Sequence, residues 1–321
     1  KIDALILDLR GNGGGSLYEA ISLTGLFIKE GPVVQVKTKD GNVDVKRDTD
    51  GKIFYSGPML VLVNRLSASA AEILAGAIKD YGRGIIIGDS HTHGKGTVQT
   101  VFSLGEFLKY WGFNNESGSL KITNAKFYRI NGASTQKKGV VPDLIFPSFA
   151  DSMEIGEEFA KHALDWDITE PVKYSRWTSD HDSRTLIEKL KRLSGERVAK
   201  DRDFAALSQK IEKYAELKKK TSVSLNEEKR FQSYMDIKNL LDEQAKLFNL
   251  DGEDTDKDLL DEQEEFVNLE GEDLYTIGES ADKVNLGRDV YMKEAVNVIY
   301  DMINNAGELM KKDKISAVQK K

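Results

Sequence analysis

Three short apolar runs constrain this chain more than any other feature: Ala4 to Leu9, Met59 to Val63 and Ile85 to Ile87. Each reads as a buried strand, and amphipathic segments alternate with them through the first 150 residues. That alternation is the signature of an α/β fold, a sheet layered with helices. Ser16 to Glu30 reads as a helix, with Ala20, Leu23 and Phe27 on one stripe and Gly31-Pro32 closing it. Val33 to Val36 reads as a strand and Lys39 to Gly51 as a polar hairpin or loop. Met59 to Val63, a helix from Ser69 to Tyr81, and Ile85 to Ile87 form a βαβ-like unit. Val98 to Phe102 and Leu120 to Ile130 add strands with rough alternation, and Val140 to Phe146 a terminal strand or extended segment.

After Pro147 the texture changes. Lys, Glu, Leu and Ala dominate and the apolar period becomes helical: Leu186, Leu190 and Leu193 share one face, as do Ile211, Tyr214 and Leu217. The expected division is therefore 1–150 as an α/β unit and 151–321 as a helical domain. Within the latter, 251–273 reads as an acidic, solvated linker, Val290 to Met310 as an amphipathic helix and Lys311 to Lys321 as a disordered basic tail.

Composition narrows the function. A net charge of −7 argues against nucleic acid as the main partner, since phosphate binding needs a basic face. The absence of cysteine excludes disulfides, thiol chemistry and cysteine-ligated metals. There is no apolar run long enough to span a bilayer as a helix. The chain opens directly on the strand pattern of Ala4 to Leu9, so it is expected to be part of a longer protein.

The chemistry gathers at two places. Ser69 stands at the mouth of a helix directly after an apolar strand, and Lys95 stands between glycines after the next strand. A serine at a helix N-terminus gains from the dipole, and its neighbours' N–H groups can hold an oxyanion. A lysine can serve as general base if its turn is desolvated or lies in a positive field. Each also has a plain reading. Ser69-Ala70-Ala71-Glu72 matches a capping box, with the hydroxyl accepting from the third helical N–H and Glu72 folding back. Lys95 could be a solvated turn lysine.

Other patterns weaken on inspection. Gly88 to Lys95 has five residues between its glycines where a phosphate loop needs four, and Gly96 replaces the required Ser/Thr. Nucleotide binding is therefore not expected. Arg10 to Gly15 is a bland turn or an amide-rich nest for an anion. His91 and His93 form a His-x-His pair with no third ligand evident, which favours a polar turn over a metal site. Asp254, Asp256, Asp258 and Glu265 fall at calcium-loop positions, but Leu259 occupies the glycine position, so a chance match is the better reading.

Taken in order, several motifs resemble the carboxyl-terminal processing proteases, most closely the tail-specific branch. They are Asp8 to Gly15, Asn64 to Glu72, Asp80 to Arg83, Gly94 to Gln99, Lys126 to Arg129, Gly132 to Gln136 and Lys138 to Asp143. The helical half resembles that branch's C-terminal domain, including Val223 to Asn226 and Asp289 to Tyr291. The resemblance implies a crotonase-like layered core and a Ser/Lys endoprotease cutting proteins near their C-termini. It assigns Ser69 as nucleophile, Lys95 as general base and Gln99 as the residue orienting that lysine. Asp80 matches an aspartate important in this branch; a dyad needs no carboxylate relay, so a structural role is expected. The oxyanion donors would be the N–H of Ala70 and that of Gly14 or Gly15. Ser67 is the rival nucleophile, but its place before the helix suits a turn.

In the family a peptide-binding PDZ domain and the start of the core precede the residues seen here. The loop before the lysine is also one residue longer than usual, which makes His91-Thr92-His93 a local insertion. The resemblance further implies unfolded or tagged protein C-termini as substrates, an adaptor docking on the helical domain, no cofactor, and a bacterial periplasmic location, with membrane association open. The rival from another class is a non-catalytic peptide-binding or scaffold module that uses the helical half as its surface.

Overall fold

The computed structural model describes residues 2–109, 118–177, 180–219, 222–247 and 289–318. The acidic stretch 251–273 and the calcium-loop-like residues 254–265 lie outside the described residues. The fold is mixed α/β. A parallel sheet contains β1 (Leu5–Asp8), β4 (Met59–Val63), β5 (Ile85–Gly88) and β8 (Leu144–Ile145) in the order β1-β4-β5-β8. An antiparallel sheet contains β2 (Gly31–Thr38), β3 (Val43–Asp48), β6 (Thr97–Ser103) and β7 (Ser119–Tyr128) in the order β3-β2-β7-β6.

Two helices, α1 (Leu17–Gly25) and α2 (Ala70–Tyr81), supply the layer between the sheets, and a short α3 (Leu104–Lys109) links β6 to β7. Nearly every residue of α2 is buried, because two of its faces are used. Ala71, Leu74, Ala75 and Ile78 pack against Met59, Val61, Val63 and Ile86 of the parallel sheet. Ile73, Ala77 and Tyr81 pack against Val33, Val34 and Phe127 of the antiparallel sheet. Gly82, left-handed at φ 62°, ends the helix by donating to the Ile78 and Lys79 carbonyls. All of β4 is buried, as a central parallel strand covered on both faces must be.

Its other face, Leu60 and Leu62, meets the helices that follow Pro147: α4 (Asp180–Val198), α5 (Arg202–Lys218) and α7 (Val290–Val318). Leu190, Phe204, Leu207, Tyr291, Ala295, Val298 and Ile299 share one cluster with Leu60, Leu62, Ile87 and Phe146. A further helix, α6 (Glu227–Leu247), follows α5. The helical half thus roofs the sheet. None of the described helices is long and apolar enough to cross a membrane.

Several expected boundaries shift. The first helix stops at Gly25 rather than Glu30, where an added Cβ would meet Asp48 Oδ1 at 2.6 Å as β3 passes close by. The polar stretch 39–51 is a hairpin, with β3 antiparallel to β2. The strand expected over Val140 to Phe146 narrows to Leu144–Ile145. The run Ala4 to Leu9 gives a half-buried strand at the sheet edge rather than a buried one. The last helix runs on to Val318, through residues whose basic character suggested disorder, because 311–318 holds no Gly or Pro to stop it.

Candidate active site

Ser69 sits where β4 turns into α2, with φ 55° and ψ −114°. A positive φ at a residue with a Cβ costs on the order of 1–3 kcal/mol and persists only where its surroundings enforce it. Here they do. Ala68 N–H donates to the Asn12 carbonyl at 2.9 Å, Ala71 N–H to the Ala68 carbonyl at 3.1 Å, and Ser69 N–H to Glu72 Oε2 at 2.8 Å. The expected capping box is present, with Glu72 folding back on the Ser69 amide, and the Glu72 amide also donates to the Ser69 carbonyl at 2.9 Å. The turn sets Ser69 at the helix N-terminus.

Glu72 is fully buried and gathers the second half of the site. Besides Ser69 N–H it accepts from Thr92 Oγ1 at 2.5 Å, Gly94 N–H at 2.7 Å and Lys95 N–H at 3.0 Å. Burial pushes its carboxyl up to about 8, while these hydrogen bonds pull the other way. The turn carrying Lys95 is held from other sides too. His93 N–H donates to the Ser67 carbonyl at 2.9 Å, Gly96 N–H to Gln136 Oε1 at 2.8 Å, and Thr135 Oγ1 to the Lys95 carbonyl at 3.3 Å. Lys95 Nζ, in the turn before β6, donates to Oε1 of Gln99 within that strand at 3.3 Å.

Ser69, Ala70, Lys95 and Gln99 line one cleft of about 470 Å³, with Gly13 and Gly15 on its rim. Gly14 lies against the Ser69 turn. A Cβ there would come within 2.7 Å of Ser69 Cβ and 2.9 Å of Ala70 N, and its φ of 109° already favours glycine. The Gly14 amide donates to Asn12 Oδ1 at 2.9 Å, whereas Gly15 faces the cleft.

The remaining sequence candidates fall outside the cleft. Ser67 is fully buried, donating to the Leu9 carbonyl at 2.8 Å and accepting from Asn64 N–H at 2.9 Å, so it ties the turn together. Asp80, at the far end of α2, is held by Arg129 Nη2 at 2.5 Å and Nε at 3.1 Å and by Asn131 Nδ2 at 2.9 Å. This clamps α2 to the end of β7. His91 lies against Arg65, whose guanidinium also reaches Glu158, and His93 is half-buried, with burial lowering its imidazole. Among the described residues, no group of three or more His, Asp or Glu side chains could hold a metal ion.

Sequence reasoning missed the roles of Asn12, Thr92 and Gln136, and took Glu72 for a cap alone. The one available signal was Glu72 itself, an acidic residue that directly precedes the apolar run Ile73 to Ile78 of the helix.

Comparison with known proteins bears on the whole assembly. Residues 1–146 match Peptidase family S41, and residues 150–304 match the C-terminal domain of tail specific protease. A Tail-specific protease of Haemophilus influenzae is 44% identical over 226 residues, 70% of this chain and 32% of that protein. A Carboxy-terminal-processing protease of Bartonella bacilliformis is 39% identical over 146 residues, 45% of this chain and 31% of that protein. The chain therefore spans about a third of the length of these curated relatives. A solved photosystem II D1 C-terminal processing protease is 34% identical, with a TM-score of 0.39 over 45% of this chain and 35% of that one. On the two adjoining family matches and the identity to these relatives, the chain belongs to peptidase family S41, in its tail-specific protease branch.

Proposed function

We propose that this chain carries the catalytic dyad of a serine endopeptidase that cuts proteins near their C-termini, with Ser69 as nucleophile and Lys95 as general base. The observation supporting this most directly is that Ser69 and Lys95 line one cleft while Gln99 engages the lysine's Nζ at 3.3 Å. Lys95 accepts the Ser69 proton as Oγ bonds to the substrate carbonyl carbon. The oxygen that becomes negative accepts from the amides of Ala70 and Gly15; the Gly14 amide is already given to Asn12. Breaking the C–N bond releases the amine, which takes the proton back from Lys95. Water then attacks the acyl ester carbon, giving up a proton to Lys95, and as the C–O bond to Ser69 Oγ breaks Lys95 returns that proton to Oγ, freeing the product acid and restoring the enzyme.

The relatives' names support protein C-termini as substrates, unfolded or tagged, and their bacterial sources fit a periplasmic location. An adaptor protein would dock on the helical half.

Labelling with a serine-reactive fluorophosphonate tests the dyad, on this chain and on the full-length protein. Labelling is expected in the wild type, absent in Ser69→Ala, and slowed by about a hundredfold or more in Lys95→Ala. Labelling that survives in Ser69→Ala would remove Ser69 as nucleophile. No Ser69-dependent labelling in either form would favour the non-catalytic peptide-binding module.

A further inference from the structure

We propose that Asp289, which caps the start of α7, is a positioning residue for the glycine-rich loop at the cleft, acting through Arg10. This rests on the reading of that loop as an oxyanion donor. Residues 11–15 are Gly-Asn-Gly-Gly-Gly, a segment with large conformational freedom whose geometry depends on what anchors it. On its cleft side Gly14 abuts Ser69, and Gly13 and Gly15 line the cleft. On its sheet side Gly11 N–H donates to Asn64 Oδ1 at 3.0 Å and the Asn12 carbonyl accepts from Ala68 N–H at 2.9 Å.

The third anchor comes from far along the chain. Arg10 directs Nη1 to Asp289 Oδ1 at 3.1 Å and Nη2 to Asp289 Oδ2 at 2.5 Å, across 279 residues of sequence. The same guanidinium grips Asp8, with Nε 3.0 Å from Oδ1 and Nη2 2.7 Å from Oδ2. The side chains of Arg10 and Asp289 are 16% and 15% exposed, so solvent screens the pair weakly. A planar guanidinium matched in this forked way fixes orientation as well as distance.

Asp289 is itself rigidly mounted. Its Oδ1 accepts from Tyr291 N–H at 3.1 Å and Met292 N–H at 3.0 Å, capping α7. Tyr291 Oη donates to the Pro147 carbonyl at 2.8 Å, and Arg197 binds Glu294 at 2.8 Å and Asp301 at 2.6 Å. The buried Ala295, Val298 and Ile299 press the helix onto the sheet. A helix seated on the sheet therefore holds the first residue of a loop whose last residues face the reacting atoms. Loops in such sites reach productive geometry only when their supports are rigid.

The test uses the full-length protein and Asp289→Asn, Asp289→Glu and Arg10→Gln. Asparagine still caps a helix, so Asp289→Asn removes the charged fork while sparing the start of α7. For Asp289→Asn and Arg10→Gln, fluorophosphonate acylation of Ser69 and kcat on a peptide substrate should fall about tenfold. KM should stay within about twofold, and amide exchange at Gly13 to Gly15 should speed up without a matching change in β4. Asp289→Glu should recover part of the rate. Wild-type acylation and wild-type loop exchange in Asp289→Asn would overturn the proposal, as would exchange accelerated equally in the loop and β4. If Ser69→Ala still labels, the dyad falls, and loop exchange alone then decides whether Asp289 holds the loop.

Discussion

Ser69 and Lys95 are joined through a single carboxylate oxygen: the amides of both donate to Oε2 of Glu72, at 2.8 and 3.0 Å. The other oxygen, Oε1, accepts from Thr92 and Gly94. One buried side chain thus sets the register between the turn carrying Ser69 and the turn carrying Lys95.

Glu72 also makes stability depend on pH. Its carboxyl rises from an ordinary 4.5 to about 8 in the folded state, chiefly through burial. Between those values the folded protein binds the proton more tightly than the unfolded chain does. Stability from this group is therefore complete below the ordinary value and lost as pH rises through about 8, at up to about 1.4 kcal/mol per pH unit. Urea midpoints of the wild type and Glu72→Gln from pH 5 to 9 check this. Subtracting the variant isolates Glu72 from other titrating groups, and the variant should show the flatter profile.

Gly14→Ala should damage the site twice. Its φ of 109° strains any side chain, and the new Cβ would crowd Ser69 Cβ at 2.7 Å and the Ala68 carbonyl at 2.8 Å. We expect a loss of about 1–3 kcal/mol in stability and a fluorophosphonate labelling rate lower by about a hundredfold. Gly41→Ala, with φ 84° and open space around it in the β2–β3 turn, is the control. It should cost about 1–2 kcal/mol and leave labelling unchanged.

Asp80→Ala strands the Arg129 guanidinium, only 15% exposed, without its carboxylate. Removing one partner of such a pair costs about 3–5 kcal/mol. Chemical denaturation should show that loss, and Asp80→Ala/Arg129→Met should recover part of it. If instead stability holds while labelling of Ser69 disappears, Asp80 acts in the chemistry and not as a strut.

Phe204→Ala tests how the helical half is attached. The ring is buried between Phe146 and Tyr291, 5.9 Å from each by ring centre, in the cluster shared with Leu60 and Leu62. The cavity should cost about 3–5 kcal/mol. Because the cluster spans sheet and helices, near-UV circular dichroism and β4 amide exchange should report one shared transition, shifted together by the variant. Two separated transitions would show that the halves fold independently.

The strands β4 and β5 and the helix between them were legible in sequence because their apolar periods are unbroken and Gly82 marks the helix end. The Ser69 turn was legible in position but not in conformation. Ser-Ala-Ala-Glu predicts the capping box, which the fold keeps, but not the positive φ at which the Asn12 carbonyl and the Glu72 carboxyl hold the turn around Ser69. Gly14 and Gly15 are equivalent in sequence, and only the fold distinguishes them, by giving the Gly14 amide to Asn12 Oδ1. The helical half was recognisable by its period, yet the face it covers was not.

By itself, the sequence determined the layered α/β plan, the helical half and the family, because periodicity, turn residues and ordered motifs are properties of neighbours along the chain. Tertiary structure alone decided that one carboxylate bridges Ser69 and Lys95, and that Asp289 reaches back across 279 residues to Arg10. Hydrogen bonds of a buried carboxyl group are dictated by whichever donors folding brings within about 3 Å. Those donors come from segments whose meeting depends on packing across both faces of the sheet.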